Sequence, residues 1–208
     1  LKEVNRRADA TFDEANARKL FGTFNKNETW QCPTLTVLHN LAYLEEPVCQ
    51  DNPDLMFIPQ NLKTFLAPKK DPGGRSAEQL KQSQKELKVL FKIVKMMQDE
   101  DVPIIAGTDV LNPFWLPGFS LHDELGLMVD AGLTPAQALR TATFNPAKYM
   151  NRLEELGSVA IGKQADLVLL LANPLDDISN TKKIEAVFLR GKLLDRKELN
   201  RRLSGYQK

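Results

Sequence analysis

Residues 103–109 read PIIAGTD, an apolar run that ends on the carboxylate of Asp109. The run reads as a buried strand that delivers one acidic side chain to the loop beyond it. In parallel barrels, side chains at the C-terminal ends of strands usually carry the chemistry. The pattern therefore makes Asp109 the first candidate for a catalytic residue.

A strand, a helix and a second strand are predicted around this run. Ser76 with Gln79 three positions later makes a capping-box start, and apolar residues then recur on one helical face for about six turns. Residues 30–38, WQCPTLTVL, are rich in β-forming residues and predict a short strand before that helix. The order is that of a βαβ repeat.

The chain after Asp109 carries signals of short helices. Ser120, Thr134 and Asn145 are each predicted to act as N-caps, the latter two being followed by proline. Gly132 is predicted to end the first of these helices.

Two earlier segments are less regular. Residues 1–20 place apolar side chains at spacings of three to five and predict an amphipathic helix. Residues 45–75 contain five prolines and a Gly-Gly pair without any sustained period. Loops of that length are usually functional lids or disordered, and both interpretations stay open.

The residue pattern of the sequence changes near residue 153, from helical signals to turn and strand signals. A glycine turn and an apolar strand follow, and residues 184–195, IEAVFLRGKLLD, predict a hairpin with Arg190-Gly191 at its tip. Asp195 is predicted to start a final basic helix. We therefore divide the chain into an α/β domain at 1–152 and a β-rich subdomain with a terminal helix at 153–208.

Composition favours a globular protein that binds small molecules. The chain has 208 residues, of which 42% are hydrophobic and 26% charged, and its formal net charge is +1. That charge provides no general field to attract nucleic acid or an anionic membrane. The longest wholly apolar run has six residues against the ~20 needed to cross a bilayer. Cys32 and Cys49 have no C-x-x-C spacing and are expected to be ordinary, partly buried thiols.

Three segments carry a more specific pattern: AGTD at 106–109, PGFSLHDELGLMVDAGLTPAQALRTATFNPAKYM at 117–150 and LGSVAIGKQADLVLLLANPLDDI at 156–178. Together they resemble the C-terminal portion of the amidohydrolase superfamily, in particular its imidazolonepropionase-like and Xaa-Pro dipeptidase-like branch. Residues 29–38, TWQCPTLTVL, are similar to that branch's strand before the last barrel strand.

The resemblance implies an α/β fold, with the C-terminal part of a (β/α)8 TIM barrel and a small β-sandwich subdomain made from both ends of the polypeptide. It implies a hydrolase of C–N bonds in an amide, cyclic amide or dipeptide. It also implies a divalent metal as cofactor, usually zinc, as one or two ions. Asp109 matches the aspartate that ends the eighth strand, binds the metal and handles the proton of the hydrolytic water.

The family's other ligands have no counterpart in this sequence. They are an H-x-H pair on the first strand, a lysine or glutamate on the fourth, and histidines on the fifth and sixth. A complete barrel takes ~250 residues. We therefore expect this chain, which begins with leucine, to be the back half of an enzyme and inactive without the N-terminal part of the barrel.

Several site assignments have a structural alternative. Asp109 could belong to a turn and cap the next element. His122, in the first turn of the helix after the Asp109 loop, is a weak candidate for substrate contact or a surface histidine with local hydrogen bonds. His39 is open in the same way. Trp115 and its apolar neighbours could line a substrate pocket or pack as plain core.

Other functions compete with hydrolysis. The chain could be a noncatalytic remnant or a partner subunit with a scaffold role, and an upstream H-x-H pair would decide against that. Residues 190–208 hold seven basic side chains against two acidic ones, which predicts a solvated terminal helix or, with residues 45–75, an interaction module. A homo-oligomer is possible, and the compartment, cytoplasmic or periplasmic and secreted if a leader exists upstream, stays open.

Overall fold

A computed structural model describes residues 12–109 and 112–205. The α-helices are α1 (Glu14–Lys26), α2 (Leu35–Ala42), α3 (Pro47–Gln50), α4 (Lys63–Leu66), α5 (Ala77–Asp99), α6 (Ser120–Asp130), α7 (Pro135–Ala142), α8 (Phe144–Tyr149) and α9 (Arg196–Ser204). The strands are β1 (Leu167–Leu170), β2 (Ile184–Leu189) and β3 (Lys192–Leu194). Short 3-10 helices cover Pro53–Phe57, Gln60–Leu62 and Ile178–Lys182. Within the described residues, no helix has both the length and the apolar character needed to span a bilayer.

The long helix α5 forms where the capping-box pattern predicts it. The Ser76 hydroxyl accepts from the Gln79 backbone N–H at 3.3 Å, and the Gln79 side chain accepts from the Ser76 N–H at 2.9 Å. These two bonds pair backbone N–H groups that a helix start otherwise leaves without partners. The buried face of α5 consists of Leu80, Leu87, Val94, Met96 and Met97.

The strand predicted over residues 30–38 is wrong beyond its first residues. Gln31 pairs with Ile104 in one parallel bridge, with Gln31 N–H bonded to the Pro103 carbonyl and Ile105 N–H to the Gln31 carbonyl, both at 2.9 Å. The two segments are parallel, as a βαβ connection requires, but this isolated bridge is their only pairing, so the strand predicted over residues 103–109 is not formed as a regular strand. From Leu35 the chain is helix α2, because tertiary contacts at its start outweigh the β propensity of Thr and Val.

The main core lies where α2, α5, α6 and α7 meet around the segment that contains Ile104. Each fully buried leucine, isoleucine or methionine there stabilises the fold by about 1.5–3 kcal/mol. The core thus gives the segment before Asp109 a rigid support. Its most buried members are Leu35, Val94, Ile104, Met128 and Ala138.

One of the three N-caps predicted between Asp109 and residue 152 is confirmed. Thr134 and Gln137 form a capping box at the start of α7. Ser120 instead lies inside α6, where its Oγ accepts from the Leu116 N–H at 2.8 Å. Asn145 lies inside α8, and its Nδ2 donates to the Ile104 carbonyl at 2.7 Å. Gly132, at φ +103°, follows α6 as predicted.

Residues 45–75 fold into short helices that cover the loop at 113–119. The Phe114 N–H donates to the Leu66 carbonyl at 2.6 Å, and the Phe57 ring stacks on Phe119 with centroids 5.1 Å apart. Ile58, Leu66 and Leu116 form a small buried cluster between the two segments. The segment is therefore ordered and packed over the loop, while its action as a lid stays a prediction.

The C-terminal residues form a three-stranded antiparallel sheet in the order β1-β2-β3. Arg190 and Gly191, both at positive φ, form the tip of the β2-β3 hairpin and confirm the predicted turn. Asp195 caps α9 as predicted. Within the described residues α9 packs against β2 and β3 but no second sheet is present, so the sandwich and the domain boundary at 152/153 stay predictions.

The helix predicted over residues 1–20 lies partly outside the described residues. Inside them, α1 begins after the N-cap Asp13, whose side chain accepts from the Asn16 N–H at 2.7 Å. The helix then runs on to Lys26, past its predicted end.

Candidate active site

Two chain segments end side by side beyond the bridge of Gln31 with Ile104. Gly107 lies against Cys32, an exposed free thiol, and a Cβ at position 107 would overlap the Cys32 Sγ. The same Cβ would lie 3.6 Å from the Thr34 Oγ1. Glycine therefore allows the two segments to approach closely.

Beyond the bridge, each segment contains one residue in the left-handed region of backbone conformation. Thr34 has φ +51° and ψ +51°, and Asp109 has φ +46°. Such a conformation costs on the order of 1–3 kcal/mol for a residue other than glycine, and a β-branched threonine is especially unfavourable there. Residues of this kind persist where neighbouring contacts hold them, and they cluster at active sites.

The Asp109 carboxylate is exposed at the end of its segment. Its Oδ2 accepts from the Asn112 Nδ2 at 3.2 Å, and the same amide donates to the Asp109 carbonyl at 3.1 Å. The next helix among the described residues, α6, begins only at Ser120, so Asp109 does not cap it. An exposed carboxylate in this position is open to a ligand and can accept a proton.

The described residues do not by themselves fit the metal that the family implies. Within 12–109 and 112–205, no three His, Cys, Asp or Glu side chains lie close enough together to hold a metal ion. Catalytic zinc sites use three protein ligands. Asp109 can supply one of them, and the others would have to come from polypeptide outside this part of the chain.

The sequence interpretation missed Glu124, a fully buried carboxylate on α6 with 0% exposure. It accepts from the Leu35 N–H at 2.9 Å, from the Thr36 N–H at 2.7 Å and from the Thr36 hydroxyl at 2.6 Å. Burial raises the pKa of Glu124, while the bonds from Thr36 and Leu35 act in the opposite direction. The available signal was an acid among the apolar positions Leu121, Leu125 and Met128 of one helix.

His122 is half-buried beside the 45–75 segment. Burial lowers the pKa of His122 from its ordinary 6.5, Lys182 lowers it further, and Asp123 and Asp54 raise it. Lys182 and Asp123 form an ion pair at 2.7 Å. The His122 Nδ1 is buried and has no hydrogen-bond partner within the described residues. Its contact with substrate stays a prediction.

The apolar loop after Asp109 is mainly core. Phe114 and Leu116 are each 3% exposed, which favours packing over pocket lining for both. Trp115 is half-buried, and its Nε1 has no hydrogen-bond partner among the described residues, so its role in substrate binding stays a prediction. His39 makes local contacts instead, stacking on Tyr43 at 4.7 Å.

The second cysteine lies in α3, in a small core that it shares with Leu44 and Phe114. Cys49 is 2% exposed, and burial raises the pKa of its thiol to about 12. The two thiols thus differ, one exposed and one buried, where the sequence predicted both to be partly buried.

Comparisons with known proteins give this arrangement a context. The model of the amidohydrolase family matches residues 63–194. The imidazolonepropionase of Treponema denticola (strain ATCC 35405 / DSM 14222 / CIP 103919 / JCM 8153 / KCTC 15104) is 32% identical over 116 residues, which cover 52% of this chain and 27% of that protein. The chain thus spans about a quarter of the length of this curated relative.

Two solved structures share the fold. A bottromycin amidohydrolase superposes with a TM-score of 0.70 at 23% identity, over 85% of this chain and 40% of that one. A Xaa-Pro dipeptidase with bound methionine superposes with a TM-score of 0.56 at 24% identity, over 82% of this chain and 35% of that one. Both likenesses support the α/β fold of the TIM-barrel type.

Proposed function

Since this chain belongs to the amidohydrolase family, we propose that it is the C-terminal segment of a metal-dependent hydrolase that cleaves a C–N bond in a small molecule. The substrate class is an amide, a cyclic amide or a dipeptide. Imidazolonepropionase and Xaa-Pro dipeptidase among the similar proteins support that class. The observation that carries the proposal is the exposed carboxylate of Asp109 at the end of the segment that pairs with Gln31.

In the proposed reaction, Asp109 is both a metal ligand and the general base. Its carboxylate takes a proton from the attacking water and passes it to the leaving amine, a role that typically contributes 10²–10⁴-fold. A divalent ion, zinc by family resemblance and one or two in number, would make the bound water acidic enough to be deprotonated near neutral pH. The side chain of Asn112 orients the carboxylate through its bond to Oδ2.

The remaining ligands belong, in this proposal, to the N-terminal part of the barrel. That part completes the cation site and supplies further strands to a β-sandwich around β1, β2 and β3. The segment alone is then inactive. We call the combination of the upstream part and this chain the intact protein.

The decisive experiment replaces Asp109 by asparagine in the intact protein. Asparagine also tolerates a left-handed backbone, so the change removes the charge while it preserves the turn. Turnover of a panel of cyclic amides and proline dipeptides, assayed with added zinc, should fall by at least ~10²-fold. Metal content per protein, measured by elemental analysis, should fall with it.

The matched control is Asp101→Asn. Asp101 is also exposed, and its backbone is also in the left-handed region, at φ +53°. It lies eight residues before Asp109, at the opposite end of the segment 101–109. This variant should keep full turnover. Undiminished turnover in Asp109→Asn would refute the assignment, and an intact protein without activity or bound metal would favour a noncatalytic scaffold.

A further inference from the structure

We propose that Glu124 is a positioning residue that holds the turn at Cys32–Thr34 against Gly107 and so sets the place of the Asp109 carboxylate. The inference rests on the proposed function for its catalytic consequence. Its structural part, the link from α6 to the turn at Cys32–Thr34, stands on hydrogen bonds and burial alone.

Glu124 caps helix α2 from another helix. The N-cap residue Thr34 makes no side-chain cap, because it is left-handed and its hydroxyl donates to the Cys32 carbonyl at 3.3 Å instead. The first N–H groups of a helix have no partner within it. Those of Leu35 and Thr36 bond to the Glu124 carboxylate at 2.9 and 2.7 Å.

The chemistry of this contact requires a carboxylate of this length. Three donors converge on the two oxygens, and the side chain is 0% exposed. A negative charge at the start of a helix is also favoured by the helix dipole. Glutamine would aim an N–H₂ group at one of the donors, and aspartate would fall one methylene short. Either change leaves a buried donor without a partner.

The contact is transmitted to Asp109 over a short path. Leu35 and Thr36, each 1% exposed, directly follow the left-handed Thr34. Two residues earlier, Cys32 lies against Gly107, which is two residues before Asp109. Loss of the cap would let Thr34 relax from its unfavourable conformation, and Cys32 would move away from Gly107. The segment that carries Asp109 would then lose its packing contact with Cys32.

The test follows two quantities in the intact protein with Glu124→Gln. The first is the alkylation rate of Cys32 by iodoacetamide, resolved by mass spectrometry of its peptide. The second is turnover. Cys32 should be alkylated severalfold faster, because the turn that presents it is loosened. The kcat should fall by about 10²-fold with KM little changed, since misplacing a catalytic group by about 1 Å has an effect of that size.

Leu127→Ala is the control for general destabilisation. Leu127 lies on the same helix and is 9% exposed, and it contributes to the core rather than to the cap. This variant should lower the unfolding temperature while Cys32 alkylation and kcat stay as in the parent. If Glu124→Gln behaves in the same way, the positioning role is overturned.

A milder variant covers the case in which Glu124→Gln does not fold. Thr36→Val removes only the hydroxyl bond at 2.6 Å and should shift both quantities in the same direction by less. If the intact protein hydrolyses nothing, the proposed function fails, whereas Cys32 alkylation still decides whether Glu124 holds the turn. An unchanged alkylation rate in Thr36→Val and Glu124→Gln would refute that link.

Discussion

Gly107 and Cys32 touch so closely that a methyl group on Gly107 would occupy the space of the Cys32 thiol. This van der Waals contact holds together two segments that are otherwise paired by one parallel bridge, between Gln31 and Ile104. It also explains why the residue two positions before Asp109 is glycine although its φ is not positive.

We expect Gly107→Ala to lower the free energy of unfolding by about 1–3 kcal/mol, because overpacking forces the two segments apart. Urea unfolding of the intact protein measures the change. The double variant with Cys32→Ala should regain much of the loss, since the sulfur is gone. As a control, Gly126→Ala has no heavy atom within 4 Å of the new methyl and lies in α6, so it should stabilise by up to about 1 kcal/mol. Equal effects of Gly107→Ala and Gly126→Ala would contradict the close contact.

Thr134→Ala should destabilise the protein by about 1 kcal/mol, because it removes the hydroxyl that accepts from the Gln137 N–H at 3.2 Å. Thermal unfolding gives the difference. Thr143→Ala is the comparison. Thr143 precedes α8 without a side-chain cap, and its hydroxyl donates back to the Leu139 carbonyl, so its loss should have a smaller effect. The reverse order of the two losses would count against the capping box.

The Asp71–Arg75 pair should make the 45–75 segment sensitive to acid. Hydrogen bonds from Arg75 hold the pKa of Asp71 below its ordinary 3.8, and the Asp71 side chain is only 4% exposed. A depressed folded pKa contributes stability above the unfolded pKa, and that stability is lost as the pH falls through the folded pKa. Protease cleavage within 45–75 should therefore accelerate below about pH 4.

Asp71→Asn should remove that acid-dependent step and weaken the segment at neutral pH by about 1–3 kcal/mol. Glu198→Gln serves as the control. Its carboxylate is partly exposed and pairs with Arg201 and Arg202 on α9, away from residues 45–75 in sequence, so the cleavage profile of 45–75 should not change. A steep acid step that persists in Asp71→Asn would show that another group is responsible.

His122 should titrate below pH 6.5, because burial first and Lys182 second oppose its protonation. NMR titration of its ring protons measures the value. Lys182→Met removes a positive neighbour and should raise the pKa of His122. Below pH 6.5 the unfolded state binds a proton at His122 before the folded state does. The stability of the fold should therefore decrease as the pH falls from 6.5 toward the pKa of His122 in the folded protein. A rise in stability on acidification through that range would contradict the burial of the ring.

Local signals predicted the helix starts whose side chains bond within the same turn. Ser76 with Gln79 and Thr134 with Gln137 form the capping boxes that their spacing indicates. The hairpin at Arg190-Gly191 likewise depends on two adjacent residues. The family resemblance, based on AGTD and the two following segments, is confirmed by the match over residues 63–194. The roles of Asp109, His122 and Trp115 stay predictions.

Failures occurred where a distant side chain completes the local structure. Residues 30–38 contain β-forming side chains, yet Leu35 and Thr36 start a helix because Glu124, 88 or 89 positions away, caps it. Asn145 looked like an N-cap and instead bonds to Ile104 across 41 positions. Such partners have no spacing that a sequence pattern can detect.

The amino-acid sequence by itself determined the long helix α5, the start of α7, the C-terminal hairpin and the acid that ends the apolar run at Asp109. Each of these depends on residues within a few positions of one another, where periodicity and capping act. Only the tertiary structure decided that Thr34 is left-handed, that Gly107 faces Cys32 and that Glu124 is buried under the first turn of α2. Those features depend on the folded chain: Glu124 must bond the buried N–H groups of Leu35 and Thr36 once water is excluded, and glycine at position 107 leaves room for the Cys32 sulfur.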